Sequence, residues 1–264
     1  MNSTPVAPIP ADDFEVHPLS GAAARPARQL SGPLNPEAAA TLDAQVRAVD
    51  LRVPLLEKND LLAERNRGFF LGRGLAALNL VSSPGAGKTT LLERTLDEFG
   101  RQTRCAVVVG DLETDNDGLR LHRPHAPVAQ ITTGGTCHLD AAMIARGVES
   151  LDLAGVRVLF IENVGNLVCP ASFDLGEQVR VVLLSTTEGE DKPLKYPPIF
   201  KSAHLVLLTK VDVADALGFK RDVAVANIRR IAPQARIIQL SSRSGEGLPE
   251  WYDFLRDLAP AAKA

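Results

Sequence analysis

The clearest candidate for chemistry is a glycine-rich loop at positions 82–90, with the sequence SSPGAGKTT. An apolar run precedes it and a helical pattern follows it. This order is typical of a phosphate-binding P-loop, G-x-x-x-x-G-K-[ST], although Ser82 replaces the first glycine. Glycine lets backbone N–H groups turn towards phosphate oxygens, and the following helix directs its positive end at the same anion. The predicted phosphate-binding residues are Gly85, Ala86, Gly87, Lys88, Thr89 and Thr90.

Two acids that end predicted strands, Asp111 and Glu162, complete the predicted catalytic group. Lys88 is expected to reach the β- and γ-phosphates, while the Thr89 hydroxyl and both carboxylates are candidate ligands of Mg²⁺. Gly165, three residues after Glu162, is predicted to direct its N–H at the γ-phosphate. We therefore predict Lys88, Thr89, Asp111 and Glu162 as catalytic residues. The alternative for each carboxylate is an ordinary solvated loop acid.

A second motif, Thr209-Lys210-Val211-Asp212, resembles the N-K-x-D sequence that selects guanine, with threonine in place of asparagine. An ionised Asp212 accepts hydrogen bonds from the N1–H and amino groups of guanine, a pair of donors that adenine lacks. The stem of Lys210 is expected to cover the base. The loop after the last predicted strand is expected to close over it with Ser241, Ser242 and Arg243. GTP and GDP are the predicted nucleotides, and an ATP-dependent kinase with a small acceptor is the alternative.

A third group of residues has the chemistry to bind a transition metal. Cys137 and His138 are adjacent, and Cys169 lies seven residues after Glu162. Thiolate and imidazole are preferred ligands of Zn²⁺ and also suit Ni²⁺. Three ligands leave a tetrahedral site incomplete, and a two-fold dimer could complete it across its interface. The alternative is that both cysteines are small buried apolar residues, as free cysteine often is.

The remaining cysteine and two further histidines are weaker candidates for metal binding. Cys105 lies in an apolar run, where packing alone explains it. His122 and His125 could form a second pair of ligands, but we expect them to be surface residues.

The elements that must position these residues alternate between strands and helices. Seven short apolar runs are predicted strands: Ala77–Val81, Cys105–Val109, Val128–Ile131, Val156–Ile161, Val179–Leu184, Leu205–Leu208 and Arg236–Leu240. Helical patterns cover Thr89–Phe99, Leu139–Ser150, Ala216–Ile231 and Leu248–Leu258. This alternation predicts an α/β fold with a mostly parallel sheet of about seven strands and helices on both faces. Ligands of such sheets bind at the carboxyl ends of the strands.

The chain divides into three predicted segments. Residues 1–35 are rich in proline and alanine and are expected to be a flexible tail. Residues 36–70 are predicted to be a helical segment that starts at Pro36 and is kinked or split at Pro54. Residues 71–264 are assigned to a P-loop domain with an embedded metal site.

Composition excludes several classes of partner. The 264 residues include 29 Lys and Arg against 32 Asp and Glu, so nothing favours nucleic acid or an anionic membrane as a ligand. No run of about 20 apolar residues is present, and we expect no membrane span. Three cysteines are too few for a disulfide scaffold, which favours a reducing, cytoplasmic location.

Five strings together resemble the HypB family of nickel-incorporation GTPases of hydrogenase maturation: LNLVSSPGAGKTTLLERTL, GDLETDNDG, CHLDA, FIENVGNLVCPASFDLGE and LLSTTEGEDKPLKYP. The resemblance covers about residues 65–255. It implies a SIMIBI-type P-loop GTPase that dimerises when GTP is bound. It further implies that nickel passes to the [NiFe]-hydrogenase large subunit with the help of a HypA-type nickel/zinc partner. The implied Ni²⁺ or Zn²⁺ site consists of Cys137, His138 and Cys169.

Two features of this sequence bear on the details of the implied function. Many members of the family carry an N-terminal cysteine motif or histidine-rich tract that binds nickel. Residues 1–70 contain only His17 and no cysteine, so no such site is expected. No glutamine or arginine finger is evident for activating water, so we expect slow hydrolysis. Two alternatives stay open: another nickel client such as urease, and a metal carrier with incidental nucleotide binding.

Overall fold

The computed structural model describes residues 36–111, 116–123 and 125–259, so the predicted tail lies outside the described residues. The helices of this part are α1 (Pro36–Arg73), α2 (Lys88–Glu98), α3 (Asn116–Leu121), α4 (Ala141–Glu149), α5 (Lys192–Lys195), α6 (Pro197–Lys201), α7 (Arg221–Ile231) and α8 (Leu248–Leu258). The strands are β1 (Ala76–Ser82), β2 (Cys105–Asp111), β3 (Val128–Thr132), β4 (Val158–Glu162), β5 (Val179–Ser185), β6 (Leu205–Thr209) and β7 (Arg236–Gln239). The residues from Arg47 onward form one compact unit.

All seven strands form one parallel sheet in the order β3-β2-β4-β1-β5-β6-β7. The predicted α/β fold is confirmed, and each predicted strand differs from the observed one by at most two residues at either end. Every residue of β1, β4, β5 and β6 is buried, as expected for parallel strands covered on both faces.

Helices cover both faces of this sheet. α2, α3 and α8 pack on one face, around a core that includes the fully buried side chains of Phe160 and Trp251. On the other face, α1 and α4 cover β1, β2 and β4, while α6 and α7 cover β5 and β6. β1 leads into the glycine-rich loop and lies between β4 and β5. The carboxyl ends of β1, β4 and β2 are therefore neighbours, and the predicted phosphate and magnesium residues meet there.

Helix boundaries differ from the predictions in physically simple ways. Pro54 does not split α1, which is one helix of 38 residues, since buried residues such as Ala63 and Phe70 anchor the turns that follow. α7 begins at Arg221 rather than at residue 216, because a turn with Gly218 at φ 65° precedes it. The short helices α3, α5 and α6 have too few residues to show a helical period in the sequence.

Within the described residues, none of the helices has the length and apolar character that crossing a bilayer requires.

A buried hydrogen bond joins α8 to α2, the helix that follows the glycine-rich loop. The Nε1–H of Trp251 donates to Thr95 Oγ1 at 2.9 Å, and both residues are fully buried. Thr95→Val keeps the shape but leaves this donor without a partner, so we expect a loss of about 1–3 kcal/mol in the free energy of unfolding, measured in urea. In a Trp251→Phe background, which lacks the donor, the same replacement should cost less. Equal costs in the two backgrounds would show that the hydrogen bond does not stabilise the fold.

Candidate nucleotide and metal site

A cleft of about 440 Å³ opens at the carboxyl ends of β1, β2 and β4. It is lined by residues predicted to hold phosphate and magnesium: Gly85, Gly87, Lys88, Thr89, Thr90, Asp111, Glu162 and Gly165. α2 begins directly after Gly87, so the unpaired N–H groups of its first turn lie at this cleft. Gly165 approaches the loop so closely that a Cβ atom would lie 3.0 Å from Pro84 Cα. The fold therefore brings the predicted loop and both predicted acids to one place.

Lys88 is a buried cation, with 8% of its surface exposed. Its Nζ donates to the Ser82 hydroxyl at 3.0 Å, and that hydroxyl donates in turn to the Ser83 carbonyl. Burial lowers the pKa of Lys88, and the negative charge of Glu162 opposes this shift. The serine that replaces the first glycine of the motif thus supplies a hydrogen-bond partner for the lysine.

Glu162, at the end of β4, is only 3% exposed. Its Oε1 accepts from the Thr89 hydroxyl at 2.6 Å, while its Oε2 is buried with no hydrogen-bond partner among the described residues. Burial raises the pKa of Glu162 to about 7, against the opposing effects of the Lys88 charge and the Thr89 hydrogen bond. A buried carboxylate oxygen without a partner, next to a hydroxyl, is a donor set that suits a hard divalent cation such as Mg²⁺.

Asp117 and Arg120 also line this cleft, and sequence reasoning missed both. Both lie on the short helix α3, and in this stretch the sequence analysis assigned a role to Asp111 alone. The Arg120 guanidinium donates to the Glu93 carboxylate at 2.6 Å and to the Thr90 hydroxyl at 3.3 Å. Only the position of α3 brings Arg120 to the cleft, whereas Asp117 stands in the string GDLETDNDG, a signal that could have identified it.

A second pocket of about 230 Å³ contains every residue predicted to contact the base beyond the P-loop: Lys210, Asp212, Ser241, Ser242 and Arg243. Gly87, Thr90 and Lys210 line both cavities, so the two adjoin. The first cavity offers buried positive charge and N–H groups, and the second offers a carboxylate acceptor. This distribution matches the two ends of a guanosine phosphate.

Thr209, which stands in place of asparagine, connects the motif around Asp212 to the glycine-rich loop. The Thr209 hydroxyl donates to the Ala86 carbonyl at 2.8 Å, and Lys210 Nζ donates to the Gly85 carbonyl at 2.6 Å. Lys210 adopts a left-handed backbone conformation with φ 58°, and the Thr186 hydroxyl holds its carbonyl at 2.7 Å. Such a conformation costs free energy in a residue with a side chain, and these contacts stabilise it.

Cys137, His138 and Cys169 meet in the structure, with all their ligand atoms within 4.8 Å of one another. Cys137 Sγ lies 3.9 Å from His138 Nδ1, and the His138 ring stacks on Phe173 with 3.8 Å between ring centres. Burial lowers the pKa of His138, which favours the neutral imidazole that metals require. Two thiols and one imidazole form a donor set that fits Zn²⁺ or Ni²⁺.

The other cysteine and the two weaker histidine candidates lie elsewhere. Cys105 is buried in β2, where its thiol donates to the Thr103 carbonyl at 3.1 Å. His122 is exposed, and His125 Nε2 lies 3.1 Å from the Leu96 carbonyl oxygen. In the part of the chain that the structure describes, Cys137, His138 and Cys169 form the one group of three or more His, Cys, Asp or Glu side chains whose ligand atoms converge in this way.

The amide side chain of Asn163 connects the cluster to the phosphate cleft. Asn163 directly follows Glu162, and its Oδ1 accepts from the backbone N–H of Leu139 at 3.3 Å. Leu139 directly follows His138. The Nδ2 of Asn163 donates to Asn79 Oδ1, in β1, at 3.2 Å. Glu162 of the cleft and His138 of the cluster are therefore each adjacent in the sequence to one partner of the Asn163–Leu139 hydrogen bond.

Comparison with known sequences gives a consistent set of relatives. The family model described as CobW/HypB/UreG, nucleotide-binding domain, matches residues 76–239. Hydrogenase maturation factor HypB of Escherichia coli is 50% identical over 212 residues, which cover 80% of this chain and 73% of that protein. Hydrogenase/urease maturation factor HypB of Helicobacter pylori is 40% identical over 205 residues, or 76% of this chain and 84% of that protein.

Solved structures of similar proteins agree with these relatives. The crystal structure of hydrogenase maturation factor HypB from Archaeoglobus fulgidus matches with a TM-score of 0.72 and 40% identity, covering 77% of this chain and 99% of that one. The structure of HypB from Helicobacter pylori in complex with nickel also has a TM-score of 0.72, with 38% identity and coverage of 78% and 99%.

The burial of Glu162 predicts an unusual pH dependence of stability. Its pKa is raised from 4.5 to about 7 in the folded protein, so the folded state holds a proton that the unfolded chain releases in this window. Its contribution to stability therefore falls as the pH rises from about 4.5 to about 7. Relative to Glu162→Gln, the nucleotide-free wild type should lose roughly 3 kcal/mol of unfolding free energy across the window. Urea unfolding of both proteins across that range measures the difference, and a constant difference would contradict the prediction.

Proposed function

The chain belongs to the HypB group of the CobW/HypB/UreG family, and from that relation we propose that it is a GTP-hydrolysing metallochaperone that assists nickel insertion into [NiFe]-hydrogenase. The main support is the proximity of two sites. Cys137, His138 and Cys169 form a cluster of metal-binding side chains, and Asn163 links this cluster to the phosphate cleft at Glu162. The names of the relatives support hydrogenase as the client, and the nickel-bound Helicobacter pylori structure supports nickel as the cargo.

The phosphate cleft is proposed to bind GTP through its positive charge and its N–H groups. Lys88 and the loop from Gly85 to Thr90 hold the β- and γ-phosphates, and the Gly165 N–H faces the γ-phosphate. Thr89, Asp111 and Glu162 hold Mg²⁺, which when bound stabilises the charge that develops on the phosphate oxygens. The ionised form of Glu162 then gains the partner that its Oε2 lacks.

Hydrolysis is proposed to be slow. No glutamine lines the described part of the cleft, and Glu93 engages the guanidinium of Arg120. An arginine finger contributes about 10³–10⁵ to the rate in related chemistry, so a cleft without one turns over slowly. Slow GTP hydrolysis suits a protein whose nucleotide state controls assembly rather than metabolic turnover.

The metal cluster is proposed to carry nickel as cargo, with Zn²⁺ as the competing ion. Three ligands from one protomer leave coordination positions that a second copy fills when GTP brings two protomers together. Loss of the γ-phosphate at Gly165 shifts the segment that runs from Glu162 to Cys169, and with it the Asn163–Leu139 hydrogen bond. The metal affinity then differs between GTP and GDP states, as a switch requires.

The proposed partners follow from this cycle. A HypA-type nickel/zinc protein assists the transfer, and the hydrogenase large subunit receives the metal in the cytoplasm. Urease is a second candidate client, supported by the name of the Helicobacter pylori relative. The 50% identity to the Escherichia coli hydrogenase factor favours hydrogenase as the first client to test.

Asp212→Asn tests the proposed choice of base. The replacement turns one of the two carboxylate acceptors into an amide donor and removes the charge. Each hydrogen bond to a charged group contributes about 1.5–3 kcal/mol, so GTP affinity should fall at least about tenfold. Xanthosine triphosphate, whose base has a carbonyl where guanine has its amino group, should bind the variant better than the wild type. Titration calorimetry measures both affinities, with ATP as the control ligand. Equal affinity of the wild type for ATP and GTP would favour the kinase alternative.

Sedimentation of wild type and Cys137→Ala with Ni²⁺ or Zn²⁺ tests the coupling of the two sites. We expect the wild type to dimerise with a non-hydrolysable GTP analogue and not with GDP, and Cys137→Ala to lose bound metal. Cys105→Ala is the matched control, because it removes a buried thiol outside the cluster and should retain its metal.

Two other outcomes would change the proposed function. If the nucleotide leaves the oligomeric state unchanged and Cys137→Ala keeps its metal, Cys137 is a packing residue and the metallochaperone proposal fails. If metal binds tightly through the cluster while hydrolysis is negligible, the metal-carrier alternative is favoured.

A further inference from the structure

Two buried asparagines on α1, Asn59 and Asn66, have no role in the function proposed above. Each is 5% exposed, and their spacing of seven residues places them on one face of the helix. Burial of an amide side chain is costly unless its donors and acceptors are satisfied. Apolar residues of the same helix, such as Ala63 and Phe70, already provide contacts for docking. The asparagines therefore need another explanation.

Each asparagine joins the same two segments of the P-loop domain. Asn59 Oδ1 accepts from the Ala141 N–H at 2.9 Å, and its Nδ2 donates to the Asp174 carbonyl at 2.8 Å. Asn66 Nδ2 donates to the Ala141 carbonyl at 2.9 Å and to the Leu175 carbonyl at 3.1 Å. Both polar groups of Ala141 are thus tied to α1, and so are two successive carbonyls of the second segment.

These two segments are the ones that carry the metal cluster. Ala141 lies three residues after His138, and Asp174 lies five residues after Cys169. Phe173, which precedes Asp174, stacks on the His138 ring. The α1 asparagines therefore bridge the segment of Cys137 and His138 to the segment of Cys169.

The contact between α1 and the second segment leaves no room for adjustment. Gly176 has φ 85°, and a Cβ atom there would lie 2.5 Å from the Ala63 carbonyl oxygen and 2.7 Å from Asn66 Cβ. Arg67 adds hydrogen bonds to Asp174 Oδ2 at 2.6 Å and to the Glu177 carbonyl at 2.8 Å. The helix thus fixes this segment sterically as well as through hydrogen bonds.

We propose that Asn59 and Asn66 are positioning residues for the metal cluster, which clamp its two ligand segments at the separation that metal binding needs. This inference rests on the proposed function, since it assumes that the cluster binds metal. A site whose ligands are held in place before binding loses less conformational entropy on binding. Without the clamp, Cys169 can move relative to Cys137 and His138, and the affinity for metal falls.

The test compares Asn59→Ala, Asn66→Ala and the double variant in the full chain with GDP bound. Titration with Ni²⁺ alone, followed through the thiolate-to-nickel absorption band, should show about tenfold weaker binding, the lower end of what loss of a supporting contact costs. The band should also change shape, because the cysteine geometry changes. Amide hydrogen exchange without metal should be faster in residues 137–141 and 169–175 of the variants.

Phe70→Leu is the matched control, because it loosens the docking of the same helix without touching either asparagine. It should keep the wild-type nickel affinity and the wild-type exchange rates in both segments. Equal weakening in Phe70→Leu would show a general effect of helix docking and would overturn the clamp. Wild-type affinity in the double variant would overturn it too.

The failure of the clamp can be distinguished from the failure of the proposed function. If nickel binding depends on Cys137 but not on Asn59 and Asn66, the cluster is a metal site and only the clamp is refuted. If wild-type nickel binding does not depend on Cys137, the proposed metal site itself is refuted, and the clamp with it.

Discussion

Two opposite charges buried at the end of the central strands set the requirements for the rest of the structure. Lys88 and Glu162 are 8% and 3% exposed, and a buried charge costs several kcal/mol unless partners compensate for its lost hydration. Ser82 and Thr89 supply those partners from the two ends of the glycine-rich loop. The loop, β1 and β4 must therefore keep one arrangement. Glu162 Oε2 stays unpartnered among the described residues, and burial raises the pKa of Glu162 to about 7, so either a proton or a bound cation compensates for the lost hydration of this carboxylate.

A second buried polar network begins at Asn163, the residue after Glu162, and runs through the interior of the sheet. Asn163 donates to Asn79, and Asn79 donates to Glu177 Oε1 at 3.1 Å. Glu177 pairs with Arg180 at 2.7 Å, and its carbonyl accepts from Arg67 of α1. A satisfied network in a low-dielectric interior specifies one geometry more strictly than apolar packing does. The phosphate cleft, the cluster of Cys137, His138 and Cys169, and α1 are consequently connected through this network.

The fold and most of the candidate site could be predicted because their signals are local. Seven apolar runs define the strands, and the loop around Lys88 and the motif around Asp212 each depend on residues close together in the sequence. The α1 asparagines could not be predicted, because their partners are backbone groups far along the chain and any sequence there presents the same N–H and C=O. The position of Arg120 in the cleft could not be predicted for a similar reason, since only a short unpredicted helix brings it there. One sign of the buried polar network is visible in the sequence, because Asn79 is a polar residue inside the apolar run ALNLV.

The position of α1 bears on how nucleotide could control the metal. A structural zinc site is closed by four ligands, whereas the cluster of Cys137, His138 and Cys169 offers three potential ligands, all half-buried. On the proposed function, nucleotide can change metal affinity only if it moves some ligands relative to others. The segment from Asn163 to Leu175 has one end at the phosphate cleft and the other on α1. If the cleft end of this segment shifts while the α1 end stays fixed, the residues between the two ends must change position. Cys169 is one of those residues. Because α1 holds one end of the segment in place, a movement at the phosphate cleft changes the position of Cys169 relative to Cys137 and His138.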